Sequence, residues 1–315
     1  MTSRRLIRIK VLQLLYAFSK KENANLADIE RDLIQSMEKS TDLYYTTLLL
    51  LTEIRHKAFL KIDAARNRRL TSNIDLNPNV RFISNPVFDI IEKNKKFQNY
   101  VHNNLIYWND MQEAVLYFYN KLPEWPAYQK YMACETASFE THKQLVLYIF
   151  AELIIQDDIF FQTLEDRNIF WNDDFELVLS IVYKNLWHIK ENTTEEDDIF
   201  YPVYKPQEDV EFARTLMRKA FNEYDKNIQL VDKFTYNWEL DRISDMDKLI
   251  MTCAIAELKN FPSIPVKVSL DEYIEISKTY SSPKSGAFIN GVLDKAVAHL
   301  KETNEIVKTG RGLVE

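Results

Sequence analysis

Glycine is almost missing from this chain. Only four of its 315 residues are glycine, at 286, 291, 310 and 312, so the first 285 positions contain none. A phosphate-cradling loop, a dinucleotide-binding turn or a nucleophile elbow needs glycine where the backbone takes positive φ or closes on a ligand, and none can form before residue 286. Tight two-residue hairpins also depend on glycine or asparagine. The one Asn-Gly pair, Asn290-Gly291, falls inside a helical pattern. These absences predict an all-α protein.

Cysteine is scarce as well. Cys134 and Cys253 stand far apart, without a CxxC or HExxH, which excludes a zinc knuckle and a disulfide framework and suits a reducing compartment. The longest apolar stretches, near Leu48–Leu51 and Leu145–Ile155, fall short of the roughly 18 residues a membrane span requires. No membrane partner is expected, and the localisation read from the sequence is cytoplasmic. Arg8 and Lys10 interrupt the first apolar run, so the amino terminus reads as mature protein and not as a leader. His56, His102, His142, His188 and His299 are scattered without ligand spacing, which nominates no metal and no cofactor. The acidic pairs Asp157-Asp158, Asp173-Asp174 and Asp197-Asp198 read as solvated.

What is present is charge of uneven sign. The net charge is −7, but residues 1–70 carry 14 basic against 8 acidic side chains, residues 71–260 carry 19 against 32, and residues 261–315 carry 7 of each. A basic end can hold phosphate while an acidic body repels it elsewhere.

Along the chain, Ile7, Val11, Leu14 and Phe18 make an apolar stripe on a helix from Arg4 to about Lys20, with Arg4, Arg5 and Arg8 on one arc beside it. Helices are predicted over 26–37 and 42–69. Residues 71–90, with Asn77, Pro78, Asn85 and Pro86, read as a loop or linker. From about 87 to 190 the pattern is helical and rich in aromatics, as core or interface material is, and Glu191–Asp198 reads as an exposed acidic loop. Helices follow over 208–224, 228–238, 246–260, 269–280 and 286–304. Ser269 and Glu272 stand at the capping-box spacing.

From Leu240 the text carries Glu257-Leu258, then Ile264-Pro265 and Val268, then Lys278 and Tyr280, then Phe-Ile-Asn-Gly-Val-Leu-Asp at Phe288–Asp294. Together with the opening RRLIRIKVLQLLYAF, this closely resembles the transcription antitermination factor NusB family. The resemblance runs over about residues 1–38 and 206–302. It implies an all-α fold of NusB-like helical bundles, with amino-terminal helices at 1–39, a helical insertion at 40–205 and a carboxyl-terminal bundle at 206–315. It also implies a binding protein without chemistry of its own, acting on boxA RNA of ribosomal RNA operons with ribosomal protein NusE in an RNA polymerase antitermination complex.

On this resemblance Arg4, Arg5, Arg8, Lys278, Tyr280, Lys284 and Phe288 are the RNA-binding candidates, and Asp241 and Asp247 face the ribosomal partner. Single-stranded RNA is held by cations on phosphates and aromatic faces on bases. Lys284 stands where the family often has an acid, and Gly286 and Ala287 where polar or basic residues are common. Phe288 as a core residue and Lys278 as a bridge between helices are the plainer readings. Two other functions remain open. One is a protein-interaction scaffold that has lost RNA binding. The other is a non-catalytic domain related to ribosomal RNA methyltransferases, whose glycine-rich catalytic domain would follow residue 302.

Overall fold

A computed structural model describes residues 3–21, 25–68, 72, 76–235 and 240–313. Fourteen α-helices and no strand occur among the described residues, so the fold is all-α. Arg69 and Trp238, the expected ends of two helices, lie outside them. The chain divides into two compact units, residues 1–37 with 204–315 and residues 38–203.

The first unit holds α1 (Ser3–Ser19), the start of α2 (Leu26–Arg66), α10 (Glu208–Asn222), α11 (Tyr224–Phe234), α12 (Asp245–Asn260), α13 (Val266–Tyr280) and α14 (Ser285–Glu302). Helix α12 is its axis. Every residue from Leu249 to Leu258 is buried, the pattern of a helix covered on all sides. That burial includes Glu257, which is fully enclosed and accepts both arms of Arg8 from α1, Nε at 2.7 Å and Nη2 at 2.6 Å. Ser269 and Tyr273 of α13 donate to the same carboxylate at 2.7 and 3.2 Å. One buried acid thereby fastens three helices. Ser269 was expected to cap a helix. Instead α13 starts three residues earlier, behind Pro265, because the Ser269 hydroxyl is taken by Glu257.

The segment after α14 folds back onto the end of α12. Lys308 donates to the Leu258 and Phe261 carbonyls, both at 3.0 Å, and Thr309 N–H to the Pro262 carbonyl at 2.9 Å. A cation on the last carbonyls suits the negative end of the helix dipole. Gly312 closes this contact: a Cβ there would stand 2.0 Å from the Pro262 oxygen.

The second unit contains the rest of α2, then α3 (Pro86–Lys93), α4 (Lys95–Asn103), α5 (Gln112–Lys121), α6 (Pro126–Ala133), α7 (Phe139–Tyr148), α8 (Asp158–Glu165) and α9 (Phe175–His188). A π-helical segment, Ile149–Ile154, continues α7. The two helices expected over 26–37 and 42–69 are one. The helix runs unbroken through residue 40, where Ser36 and Thr47 bond back to the Leu33 and Leu43 carbonyls and Lys39 pairs with Asp42 three residues on. The loop expected to reach residue 90 ends at Asn85, which caps α3 by accepting from Val87 N–H, with Pro86 in the first turn.

The aromatics of this unit are its core. Tyr44, Phe82, Phe88, Trp108, Phe118, Phe150, Phe160 and Phe200 are fully buried. Their polar ends are satisfied: Trp108 Nε1 donates to the Thr46 carbonyl at 2.9 Å, and Asn185 to the Tyr44 hydroxyl at 2.6 Å. Asp174, read as solvated, is buried and accepts from Ser40 at 2.6 Å. The acidic loop is tied to α4 through Lys95 N–H on the Glu195 carbonyl at 2.9 Å and Lys96 on Asp198 at 2.6 Å.

Two outcomes test this architecture. Arg8→Met strands the Glu257 charge in the core and should cost about 3–5 kcal/mol in urea unfolding. Adding Glu257→Gln should return part of that loss, whereas equal stability of wild type and Arg8→Met would show that the pair is not a tie. Gly312→Ala should cost about 1–3 kcal/mol, or release residues 303–313 to protease, because the added methyl group collides with backbone.

Candidate nucleic-acid interface

Three arginines on the first two turns of α1 meet three acids on three different helices. Arg4 lies 3.6 Å from Asp209 of α10, a buried carboxylate that also accepts the Lys205 N–H at 2.9 Å. Arg5 makes a fork to Glu272 of α13, Nε at 2.5 Å and Nη2 at 3.1 Å. Arg8 holds Glu257 of α12. Side-chain exposure falls in the same order, 40%, 28% and 2%. Arg4 and Arg5 therefore border solvent, and Arg8 does not.

Arg8 thus departs from the expected role. Burial by itself would lower its pKa, but the charge of Glu257 and the hydrogen bonds to it raise the guanidinium pKa well above its usual value. Its carbon lies 5.2 Å from the Phe212 ring centre and 5.9 Å from that of Tyr273. At 2% exposure the group presents no face to a phosphate in solvent. For Arg5, hydrogen bonding to Glu272 raises the pKa against the effect of burial, and the charges of Glu272 and Glu275 add to it. Glu275 also takes the Lys278 ammonium, so Arg5, Glu272, Glu275 and Lys278 form one charged ridge beside α13.

The other candidates lie where α13 ends and α14 begins. Tyr280 is the last residue of α13, half-buried, and Phe288, one turn into α14, is half-buried too. Lys284, at the cap position of α14, is exposed, as is Ala287. At Gly286 a Cβ would meet Ser277 Oγ at an ordinary 3.5 Å, so this glycine is not demanded by packing.

Asp247, the expected partner contact, is turned inward. Its carboxylate accepts the Ser285 hydroxyl at 3.0 Å. With its single proton committed there, Ser285 accepts from Ser281 and Ser282 at 3.0 and 2.8 Å. Asp247 therefore fixes the loop that carries Lys284 and is not a surface charge. Asp241, in the short turn Leu240–Arg242, is exposed.

Sequence reading missed the acids that hold Arg4 and Arg5, namely Asp209 and Glu272, because both are distant in the chain and no local spacing marks them. It also missed a groove of about 480 Å³ lined by Leu15, Phe18, Phe221, Tyr224 and Leu249, with Asp225 and Asp245 among its lining residues. Lys20 bonds Asp245 across it at 2.5 Å and holds that carboxyl below its usual pKa range.

The NusB family model matches residues 176–298, which adds α9 to the region of likeness and leaves residues 1–38 outside it. Among curated proteins, the chain is 40% identical over 104 residues to the transcription antitermination protein NusB of Salinibacter ruber, covering 33% of this chain and 65% of that one. It is 42% identical over 107 residues to the NusB protein of Chloroherpeton thalassium, covering 33% of this chain and 51% of that one. With the NusB protein of Dictyoglomus turgidum it shares 36% identity over 121 residues, 38% of this chain and 81% of that one. The chain thus spans about half to two thirds of the length of the first two and more of the third. No solved structure matches it. A relative matched over four fifths of its length at this identity settles the grouping: the chain belongs to the NusB family.

Proposed function

We propose that the protein is an RNA-binding transcription antitermination factor that engages boxA RNA of ribosomal RNA operons together with ribosomal protein NusE, in the cytoplasm and without catalysis. The observation that carries the reading is the half-exposed pair Arg4 and Arg5. Both reach solvent from the start of α1, while the acids they pair with, Asp209 and Glu272, are largely covered. A guanidinium has five N–H donors, so a phosphate can bind the open side of each arginine while the acid keeps its own side. Lys278 and Lys284 add cations, and Tyr280 and Phe288 add half-covered rings for unstacked bases.

For the protein partner, Asp241 and the groove bordered by Asp225 and Asp245 join exposed acid to an apolar floor. Charge of this kind steers and selects a basic ribosomal protein, while the floor supplies burial. The buried Asp247 contributes by holding the loop after α13.

The test is a titration of labelled boxA RNA with the full chain, alone and with NusE, over a salt series. NusE should tighten binding. Replacing Arg4 and Arg5 with Gln should weaken it and make the log-log salt slope shallower by about 1 to 2, as two lost single-strand phosphate contacts give. Wild-type binding that is absent at low salt with NusE present would overturn the reading. A second prediction concerns Glu272→Gln, which frees Arg5 from its competing acid and should raise RNA affinity by up to about fivefold. Weaker binding in that variant would mean Arg5 needs Glu272 to be placed at all.

A further inference from the structure

Helix α2 runs past the body that supports it. Ala58 is its last buried residue, and no residue from Phe59 to Arg68 is buried. Helices in water ordinarily depend on a packed face, so two uncovered turns are unusual by themselves. This stretch is also not built as a solvated end. Phe59 is 50% exposed and Leu60 46%, and the Phe59 ring lies parallel to His56, with centres 6.3 Å apart and an interplanar angle of 21°.

The charge is one-sided. Residues 57–68 contain Lys57, Lys61, Arg66 and Arg68 against Asp63 alone, in a unit that carries 17 basic and 25 acidic side chains overall. Many other cations of the unit are paired with acids, as in Arg55 with Asp89 and Glu92, Lys95 with Glu196, Lys96 with Asp198 and Lys121 with Asp157. Those without such a pair among the described residues, such as Lys130, Lys184 and Lys190, do not gather at one helix end. Among the described residues no ion pair engages the four at the end of α2. The helix dipole accounts for cations only in the last turn, which covers Arg66 and leaves Lys57 and Lys61 unexplained. Those two lie one turn apart, about 6 Å along the axis, on the same edge.

Resting on the RNA-binding reading above, we infer that the end of α2 is a second nucleic-acid contact, taking single-stranded RNA with its phosphates on Lys57, Lys61, Arg66 and Arg68 and an unstacked base on Phe59. Unpaired cations concentrated on an otherwise acidic body are complementary to a polyanion, and an exposed ring beside them is what a flexible strand adds to phosphate contact.

The experiment uses the full chain and labelled single-stranded RNA, with boxA in one arm and an unrelated sequence of equal length in the other. Three proteins are compared over a salt series: wild type, a variant with Lys57, Lys61, Arg66 and Arg68 all changed to Gln, and the Arg4→Gln, Arg5→Gln variant. The four-site variant should make the log-log salt slope shallower by about 2 to 3 on both RNAs, as four lost contacts at about 0.7 each give. Arginine at Lys57 and Lys61 should keep the wild-type slope, and Phe59→Ala should weaken binding about fivefold or more. All these positions border solvent, and an unchanged circular dichroism spectrum shows that the variants fold. An unchanged slope in the four-site variant, with the Arg4 and Arg5 variant impaired, overturns this contact and keeps the function proposed above. The reverse result keeps this contact and overturns the first interface. Absence of RNA binding by wild type overturns both.

Discussion

The first unit is organised around a charge it has buried. Taking Arg8 and Glu257 out of water costs several kcal/mol for each ion, and the structure offsets that cost with a guanidinium fork on both carboxylate oxygens and with Ser269 and Tyr273 on the same oxygens. Such a site tolerates one arrangement of α1, α12 and α13. A slip of α1 by one residue would carry Arg8 about 100° around the helix and leave Glu257 alone in the core. The pair therefore fixes register more than it adds stability. Because Arg4 and Arg5 stand one turn before Arg8, the buried tie also decides where those two emerge at the surface.

That dependence explains what could be read in advance and what could not. The apolar stripe of α1 is local, and its period alone gave the helix and the arc shared by the three arginines. Which part of that arc faces solvent is not local. It is set by Glu257 and Glu272, 249 and 267 positions away, so the arc mixes a buried anchor with two half-exposed groups. Asp247 shows the same limit at shorter range. Early in a helix a carboxylate reads as a surface charge favoured by the dipole, and only the return of Ser285 over it turns it into an interior acceptor. Asn85-Pro86 erred in the opposite direction. Its residues are those of a loop, but an accepting side chain followed by a fixed φ is also how a helix begins.

The second unit was legible as helix and little further. Its aromatics are numerous enough to fill a core, yet pattern alone cannot assign pairs such as Tyr45 stacked on Tyr100 with centres 4.0 Å apart, or Trp171 donating to the Lys39 carbonyl at 2.7 Å. These contacts join segments 55 to 132 residues apart. The continuity of α2 was hidden for a related reason. Ser36, Ser40 and Thr41 are weak helix formers, but Ser36 spends its hydroxyl on the Leu33 carbonyl and Ser40 on the distant Asp174, so neither competes for the backbone donors of the helix.

The two sets of candidate cations differ in a way that bears on how RNA would be handled. Arg4 and Arg5 are already paired, so their charge is partly neutralised before a phosphate arrives. The gain from a single contact is therefore small, and a strand must also place bases against Tyr280 and Phe288 to benefit. Such a surface discriminates. Among the described residues the cations at the end of α2 form no ion pair with an acid they would have to give up, and their field acts on any phosphate that approaches. Such a surface raises the encounter rate and holds strands without selecting among them. A chain carrying both separates capture from recognition, and the net acidity of the remaining second unit sharpens that separation by favouring the helix end over the rest of that unit.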